Sequence, residues 1–265
     1  MRIARFTLED EPHYGIVEGD LRTDDADGFG NLELVVLSGD PFFSPAEPTG
    51  QRVKVDDVRL LAPIIPRSKV VGIGRNYAEH AAELGNEVPK EPLMFFKPNT
   101  AVIGPDDPIR LPARSENVSY EAELAVVISR ICKNVPRERA QDCILGYTIA
   151  NDVTARDLQK TDGQWARAKG FDTSCPLGPW IETDLDVEDL AIRSWVDGDL
   201  KQDGRTSQMI HDVPDLISYV SEMITLLPGD VILTGTPAGV GQIVAGQRVR
   251  IDIEGIGVLS NPVLD

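Results

Sequence analysis

Polar and apolar positions alternate through the centre of VSYEAELAVV, residues 118–127, before the segment turns wholly apolar. That pattern predicts a strand entering a core, and a two-residue period puts Glu121 and Glu123 side by side on one face. Residues 1 to about 65 predict short strands and turns: RIARFTL and HYGIVEG joined by the charged EDEP, then the acidic turn DLRTDDADGFG. Pro63 and Pro66 in VRLLAPIIPRSKVVGIG mark a crossing into a second unit, so a small N-terminal domain is expected over 1–65 and a larger one over 66–265.

Beyond the boundary, KVVGIG predicts a short buried strand, NYAEHAAEL a short helix stopped by Gly85-Asn86, and PLMFFKP a strand between prolines. Strand patterns then dominate: AELAVVIS, GYTIANDVTA, CPLGPWIET, AIRSWVDG, DVILTGTP and RVRIDIEGIGVLSNPV. Two longer helices are expected, PRERAQDCIL and DVPDLISYVSEMITLL. The second carries Val213, Leu216, Ile217, Val220, Met223, Ile224 and Leu227 at three/four spacing, a core-packing stripe. Strands are not regularly interleaved with helices, which argues against a doubly wound parallel sheet and for a mostly β, α+β fold.

Composition is that of a globular chain: 265 residues, 42% apolar and 26% charged. The formal net charge of -17 speaks against nucleic-acid or anionic-membrane partners, whose phosphates need a basic face. So acidic a surface serves solubility. Holding an anionic substrate on such a chain needs a local positive centre, which a bound metal would supply. Cys132, Cys143 and Cys175 form no CxxC and read as free thiols in a reducing cytoplasm. MRIARFTLED lacks the basic-then-apolar pattern of a signal peptide, and no apolar run approaches membrane-spanning length, so a cytoplasmic location is expected.

Several suggestive motifs lack the parts their chemistry needs. GIGRNY has Tyr77 where a dinucleotide fingerprint has its third glycine, and GTPAGVG lacks the Gly-Lys-Ser/Thr of a phosphate loop. No G-x-S-x-G elbow is present, and His13, His80 and His211 are too few for a polyhistidine zinc site.

The carboxylates hold together better. Two carboxylates on one face repel and resist burial unless a cation lies between them. Asp152 follows the apolar run of GYTIANDVTA and would complete an all-oxygen set for a hard ion such as Mg²⁺ or Mn²⁺. An exposed polar strand face with a capping aspartate gives the same spacing. In HAAE, His80 and Glu83 lie one helical turn apart, as a carboxylate-oriented general base or as a surface pair. Arg156 and Gln159 of ARDLQ and Lys169 of AKGFD add cationic and amide donors.

In this order, GIGRNYAEHAAELG, MFFKPNT, YEAELAVVI, NDVTARDLQ, AKGFDTSCPLGPW and LTGTPAGVG resemble the fumarylacetoacetate hydrolase family over residues 69 to about 262. The closest likeness is to bacterial members acting on acylpyruvates, oxaloacetate and hydroxymuconate-type diacids. The N-terminal 65 residues resemble the small variable domain such proteins often carry. The resemblance implies a mixed β-sheet roll, a Mg²⁺ or Mn²⁺ site on Glu121, Glu123 and Asp152 (an all-oxygen site also accepts Ca²⁺), and His80 with Glu83 as an acid/base pair on a mobile lid. It implies further that Lys169 and Gln159 contact the reacting oxygens, that Thr236 contacts the substrate carboxylate, and that Arg156 lies near the site. The tyrosine that some long members carry after ARDLQ is replaced by Thr161, Asp162 and Gly163.

What the resemblance implies mechanistically is a small 2-oxo acid chelated by the metal, which stabilises the enolate formed when a bond at C3 breaks. C–C hydrolysis of an acylpyruvate is the first reading. Isomerisation of a 2-hydroxyhepta-2,4-diene-1,7-dioate, or decarboxylation of oxaloacetate, would use the same enolate. A non-catalytic ion-binding domain would have no use for His80, Glu83 and Lys169. A homodimer is also implied.

Overall fold

The computed structural model describes residues 1–20 and 31–265; all but the first residue of the acidic turn DLRTDDADGFG lies outside the described residues. The chain is an α+β fold built mostly of strands, as the pattern predicts. One large mixed sheet runs in the order Pro48–Lys54, Glu33–Leu37, Glu11–Glu18, Arg2–Leu8, Cys175–Glu182, Ile144–Asn151, Ala122–Ile128, Val231–Leu233, Val70–Gly74, Leu93–Lys97. The N-terminal strands thus continue the large sheet, with Arg2 opposite Glu182 and Ile3 opposite Ile181. Val231–Leu233 runs parallel to Val70–Gly74, while the neighbouring pairs are antiparallel.

Ala122–Ile128 is buried along its whole length, so it lies inside the core rather than along one of its faces. The expected single strand through VSYEAELAVV is in fact two. Val118–Tyr120 belongs to a three-stranded sheet with Thr154–Ala155 and Gly241–Gln242, and the chain changes sheets at Glu121. Its antiparallel neighbour does the same at the same level: Ile144–Asn151 leaves the large sheet and Thr154–Ala155 joins the small one. Asp152 donates its backbone N–H to Glu121 O at 2.9 Å across this double switch. The Asn151 side-chain oxygen accepts the Glu121 N–H at 3.0 Å. Two strands leaving one sheet together open a gap in its ladder, and the carboxylates sit in that gap.

The helix Val213–Met223 starts at Asp212, whose side chain accepts the Asp215 N–H, with Pro214 in the first turn. Its buried residues include Val213, Leu216, Ile217 and Val220. The stripe was expected to run on to Leu227, but Ile224 is already extended and Met223 is 65% exposed. PRERAQDCIL is a 3₁₀ segment, Arg137–Cys143, rather than a longer α-helix. Only Ala140 and Cys143 are buried there, so no apolar face sustains an α-helix, and the Cys143 carbonyl, just before the strand Ile144–Asn151, accepts the N–H of Ser129, just after the strand Ala122–Ile128. All three cysteines are free and buried. Among the described residues, no helix is long and apolar enough to cross a membrane.

Candidate active site

Glu121 and Asp152 stand at the two strand switches, and Glu123 lies one step into the large sheet. Each offers an oxygen such that all three lie within 4.8 Å of one another, and all three residues are buried. The chain answers this crowding with its own cations. Lys169, from the short helix Ala166–Lys169, donates to Glu121 Oε2 at 2.7 Å and Asp152 Oδ2 at 2.5 Å. Arg156 Nη2 donates to Glu121 Oε1 at 2.5 Å, and its Nη1 to Gln159 Oε1 at 3.1 Å. Lys97 Nζ donates to Asp152 Oδ1 at 2.6 Å.

The carboxylates consequently differ. Burial alone would raise the Glu121 carboxyl, but Arg156, Lys169 and His80 together hold it well below the usual range. Glu123 accepts only a neutral donor among the described residues, the Gly235 N–H at 2.8 Å. Burial, then the charges of Asp152 and Glu121, push its carboxyl well above the usual range. Three converging hard oxygens, one of them poorly compensated, fit a divalent ion such as Mg²⁺ or Mn²⁺.

The helix Ala78–Glu83 forms one side of the cavity. His80 is buried; its Nδ1 lies 3.4 Å from Glu83 Oε2 and its Nε2 4.0 Å from Glu121 Oε1. Burial lowers the imidazole pKa, partly offset by the Glu121 charge, so the neutral ring is favoured. Asn76 fixes the approach to this helix, donating to Thr234 O at 2.7 Å and His211 O at 2.9 Å and accepting the His211 N–H. Gly72 of GIGRNY serves packing: a Cβ there would meet the Phe95 ring at 2.1 Å. That ring lies 4.8 Å from Lys169 Nζ.

A cavity of about 530 Å³ opens from this centre. His80, Glu83, Glu121, Glu123, Arg156, Gln159, Lys169 and Thr236 all line it; Asp152 joins them through Lys169 and Glu121. Every residue expected from the sequence is therefore brought together. Thr236 is already engaged, donating its hydroxyl to Ala122 O at 2.8 Å and accepting from Gln202 Nε2 at 2.7 Å. Its proton is therefore committed within the fold.

Sequence reasoning missed Lys97, Arg75, Lys160 and Trp165. Arg75, Lys160 and Trp165 also line the cavity, and Arg75 has φ 58, an uncommon backbone conformation for arginine. Neither Arg75 nor Lys160 makes an ion pair among the described residues. The available signal for Lys97 was a lysine closing an apolar strand before a proline, inside the quoted MFFKPNT.

Residues 69–264 match the family described as Fumarylacetoacetate (FAA) hydrolase C-terminal, and residues 1–63 the one described as Rv2993c-like, N-terminal. The chain is 53% identical over 267 residues to Protein Rv2993c of Mycobacterium tuberculosis, covering 100% of this chain and 98% of that protein. It is 46% identical over 220 residues to Oxaloacetate tautomerase fahd2, mitochondrial, of Xenopus laevis, covering 78% and 69%. The structure of 2-hydroxyhepta-2,4-diene-1,7-dioate isomerase from Mycobacterium marinum superposes with a TM-score of 0.90 at 51% identity, over 100% of this chain and 98% of that one. Fumarylpyruvate hydrolase from Pseudomonas aeruginosa, solved with Mn²⁺ and pyruvate, gives 0.71 at 34% identity over 76% and 91%. The chain belongs to the fumarylacetoacetate hydrolase family.

Proposed function

We propose that this chain is a divalent-metal-dependent enzyme that acts on 2-oxo and 2-hydroxy-dienoic acids through their enolates, and that it hydrolyses the C–C bond of an acylpyruvate. The observation carrying this reading is the buried His80, with Glu83 on one ring nitrogen and the carboxylate centre 4.0 Å from the other. Metal-assisted decarboxylation alone needs no base, whereas hydrolysis needs one beside the substrate. An ion held by Glu121, Glu123 and Asp152 would supply Lewis acidity toward the oxygens of a 2-oxo acid.

His80 Nε2 takes a proton from water as the water oxygen attacks the distal carbonyl carbon, and Glu83 holds the imidazolium that forms. The bond between that carbon and C3 breaks, leaving its electron pair as pyruvate enolate. Lys169 neutralises the charge developing on the enolate oxygen, and the His80 imidazolium then gives its proton to C3, which restores the neutral ring. Arg156 places the Gln159 amide at the cavity wall, facing the reacting oxygens. Thr236 lies beside the expected position of the substrate carboxylate, where its backbone, not its committed hydroxyl, is available. Arg75 and Lys160, without an ion pair among the described residues, suit a second anionic group at the far end.

A second reading is favoured by the names of two relatives, an isomerase at 51% and a tautomerase at 46% identity, both above the 34% of the hydrolase. In that reading His80 moves a proton between carbons or to oxygen, and no water attacks. Assays of acetylpyruvate, fumarylpyruvate, oxaloacetate and a 2-hydroxy-diene-dioate with Mg²⁺ separate the two. Cleavage of acetylpyruvate or fumarylpyruvate to pyruvate supports hydrolysis, and isomerisation without cleavage supports the second reading. The proposal includes a homodimer, which light scattering of the purified chain would test.

A further inference from the structure

Asp152 meets two lysines, one on each carboxylate oxygen, and their surroundings differ. Lys169 lines the cavity and bridges Asp152 Oδ2 to Glu121 Oε2. Lys97 is not among the cavity-lining residues; it is 1% exposed and reaches Asp152 Oδ1 at 2.6 Å and Val153 O at 3.4 Å. It projects from the last residue of the strand Leu93–Lys97, whose position is fixed by pairing with Val70 and by Pro98 behind it. One ammonium can therefore exchange partners with whatever enters the cavity, and the other cannot.

We propose that Lys97 is a positioning residue for the metal centre: by holding Oδ1 from behind, it fixes the rotation of the Asp152 carboxylate so that Oδ2 is presented to the ion, while Lys169 is the lysine that changes partners. This rests on the metal-site reading of Glu121, Glu123 and Asp152. Supporting groups that orient a ligand typically contribute ~10- to 100-fold in metal affinity. A lysine that merely neutralised Asp152 would act in the opposite direction, because its removal would leave the centre more negative and bind a cation more tightly.

The test is Mn²⁺ binding, followed by calorimetry and by the loss of free Mn²⁺ electron-paramagnetic resonance signal, for wild type, Lys97→Met and Lys97→Gln. Weaker binding by ~10-fold or more in the folded variants is the expected result. In an Asp152→Asn background the same Lys97 substitutions should add little. Unchanged or tighter Mn²⁺ binding by a folded Lys97 variant would overturn the proposal. A wild-type chain that binds no Mn²⁺ would instead overturn the metal-site reading beneath it. A crystal structure of the wild type with Mn²⁺ decides the matter even if no variant folds. The Lys97–Oδ1 bond should be retained there with Oδ2 toward the ion, and a Lys97 that has left Asp152 contradicts the proposal.

Discussion

Glu83 accepts the backbone N–H of Gly239 at 3.1 and 3.2 Å from its two oxygens while it holds His80 Nδ1 at 3.4 Å. The base is thus oriented by a carboxylate that is itself tied to the loop after Thr236. Gly239 has φ 101, and a Cβ there would meet Lys201 O at 2.1 Å, so the donor stands where only glycine fits. Gly239→Ala is expected to shift the loop and free Glu83. Turnover should fall roughly 10- to 100-fold, part of the 10²–10⁴ typical of acid–base catalysis, with Mn²⁺ affinity nearly unchanged. Steady-state kinetics beside a metal titration would check this. An equal loss of metal affinity would place Gly239 elsewhere in the account.

His80→Ala and Glu83→Gln remove the base and its orienting group, respectively. Both should lower kcat by about 10²- to 10⁴-fold, with the smaller loss for Glu83→Gln, which keeps an acceptor oxygen for Gly239. Pyruvate formation under saturating substrate measures this directly. Full activity in His80→Ala would remove the base from the mechanism.

Burial, the largest influence on His80, lowers its pKa below the ordinary imidazole value. The neutral, proton-accepting ring therefore persists as pH falls through that value, and is lost only below it. The acid limb of kcat/KM is expected below pH 6.5, the ordinary imidazole value, and should disappear as a separate limb in His80→Ala. A wild-type limb above that value would mean that the carboxylates outweigh burial.

Glu123 retains its proton to higher pH than an ordinary carboxyl, because of burial and the charges of Asp152 and Glu121. A metal requires the carboxylate, so binding should release this proton. Calorimetric titrations in buffers of different ionisation enthalpy should show a buffer-dependent heat, and apparent affinity should rise with pH while Glu123 remains partly protonated. Glu123→Gln should lose that buffer dependence and bind less tightly. A heat independent of buffer in the wild type would contradict the assignment.

Arg75 and Lys160 should matter only to substrates with a second anion. Arg75→Ala is expected to raise KM for fumarylpyruvate by about 10-fold, as for loss of a charged hydrogen bond. Lys160→Ala, at an exposed position, should raise it by about 2- to 5-fold. Acetylpyruvate, which lacks the distal carboxylate, should be nearly unaffected by either. Equal effects on both substrates would assign these cations to something other than the far end of the cavity.

The sequence pattern made the mostly-β fold, the helix after Asp212 and the Glu121–Glu123 pair legible, because each rests on short-range periodicity. What brings the carboxylates together was not legible in that way. A period of two says that Glu121 and Glu123 share a face, but the convergence with Asp152 comes from two neighbouring strands changing sheets at one level, a relation between segments some thirty residues apart. Lys97 was hidden for a related reason: a lysine ending a strand ordinarily reads as reaching solvent, and only the carboxylate behind it makes its burial tolerable. PRERAQDCIL has helix-forming residues but no stripe to bury, and tertiary pairing of Cys143 with Ser129 decided its form.

The measurement closest to the central claim follows the ultraviolet absorbance of acetylpyruvate and of fumarylpyruvate with Mg²⁺, then with chelator, for wild type and Glu83→Ala. Pyruvate release is quantified in the same samples. Expected is stoichiometric cleavage that chelation stops and Mg²⁺ restores, faster for fumarylpyruvate and nearly abolished by the substitution. Cleavage that continues in chelator, or that proceeds equally in Glu83→Ala, would contradict a metal-dependent hydrolysis driven by the His80–Glu83 base.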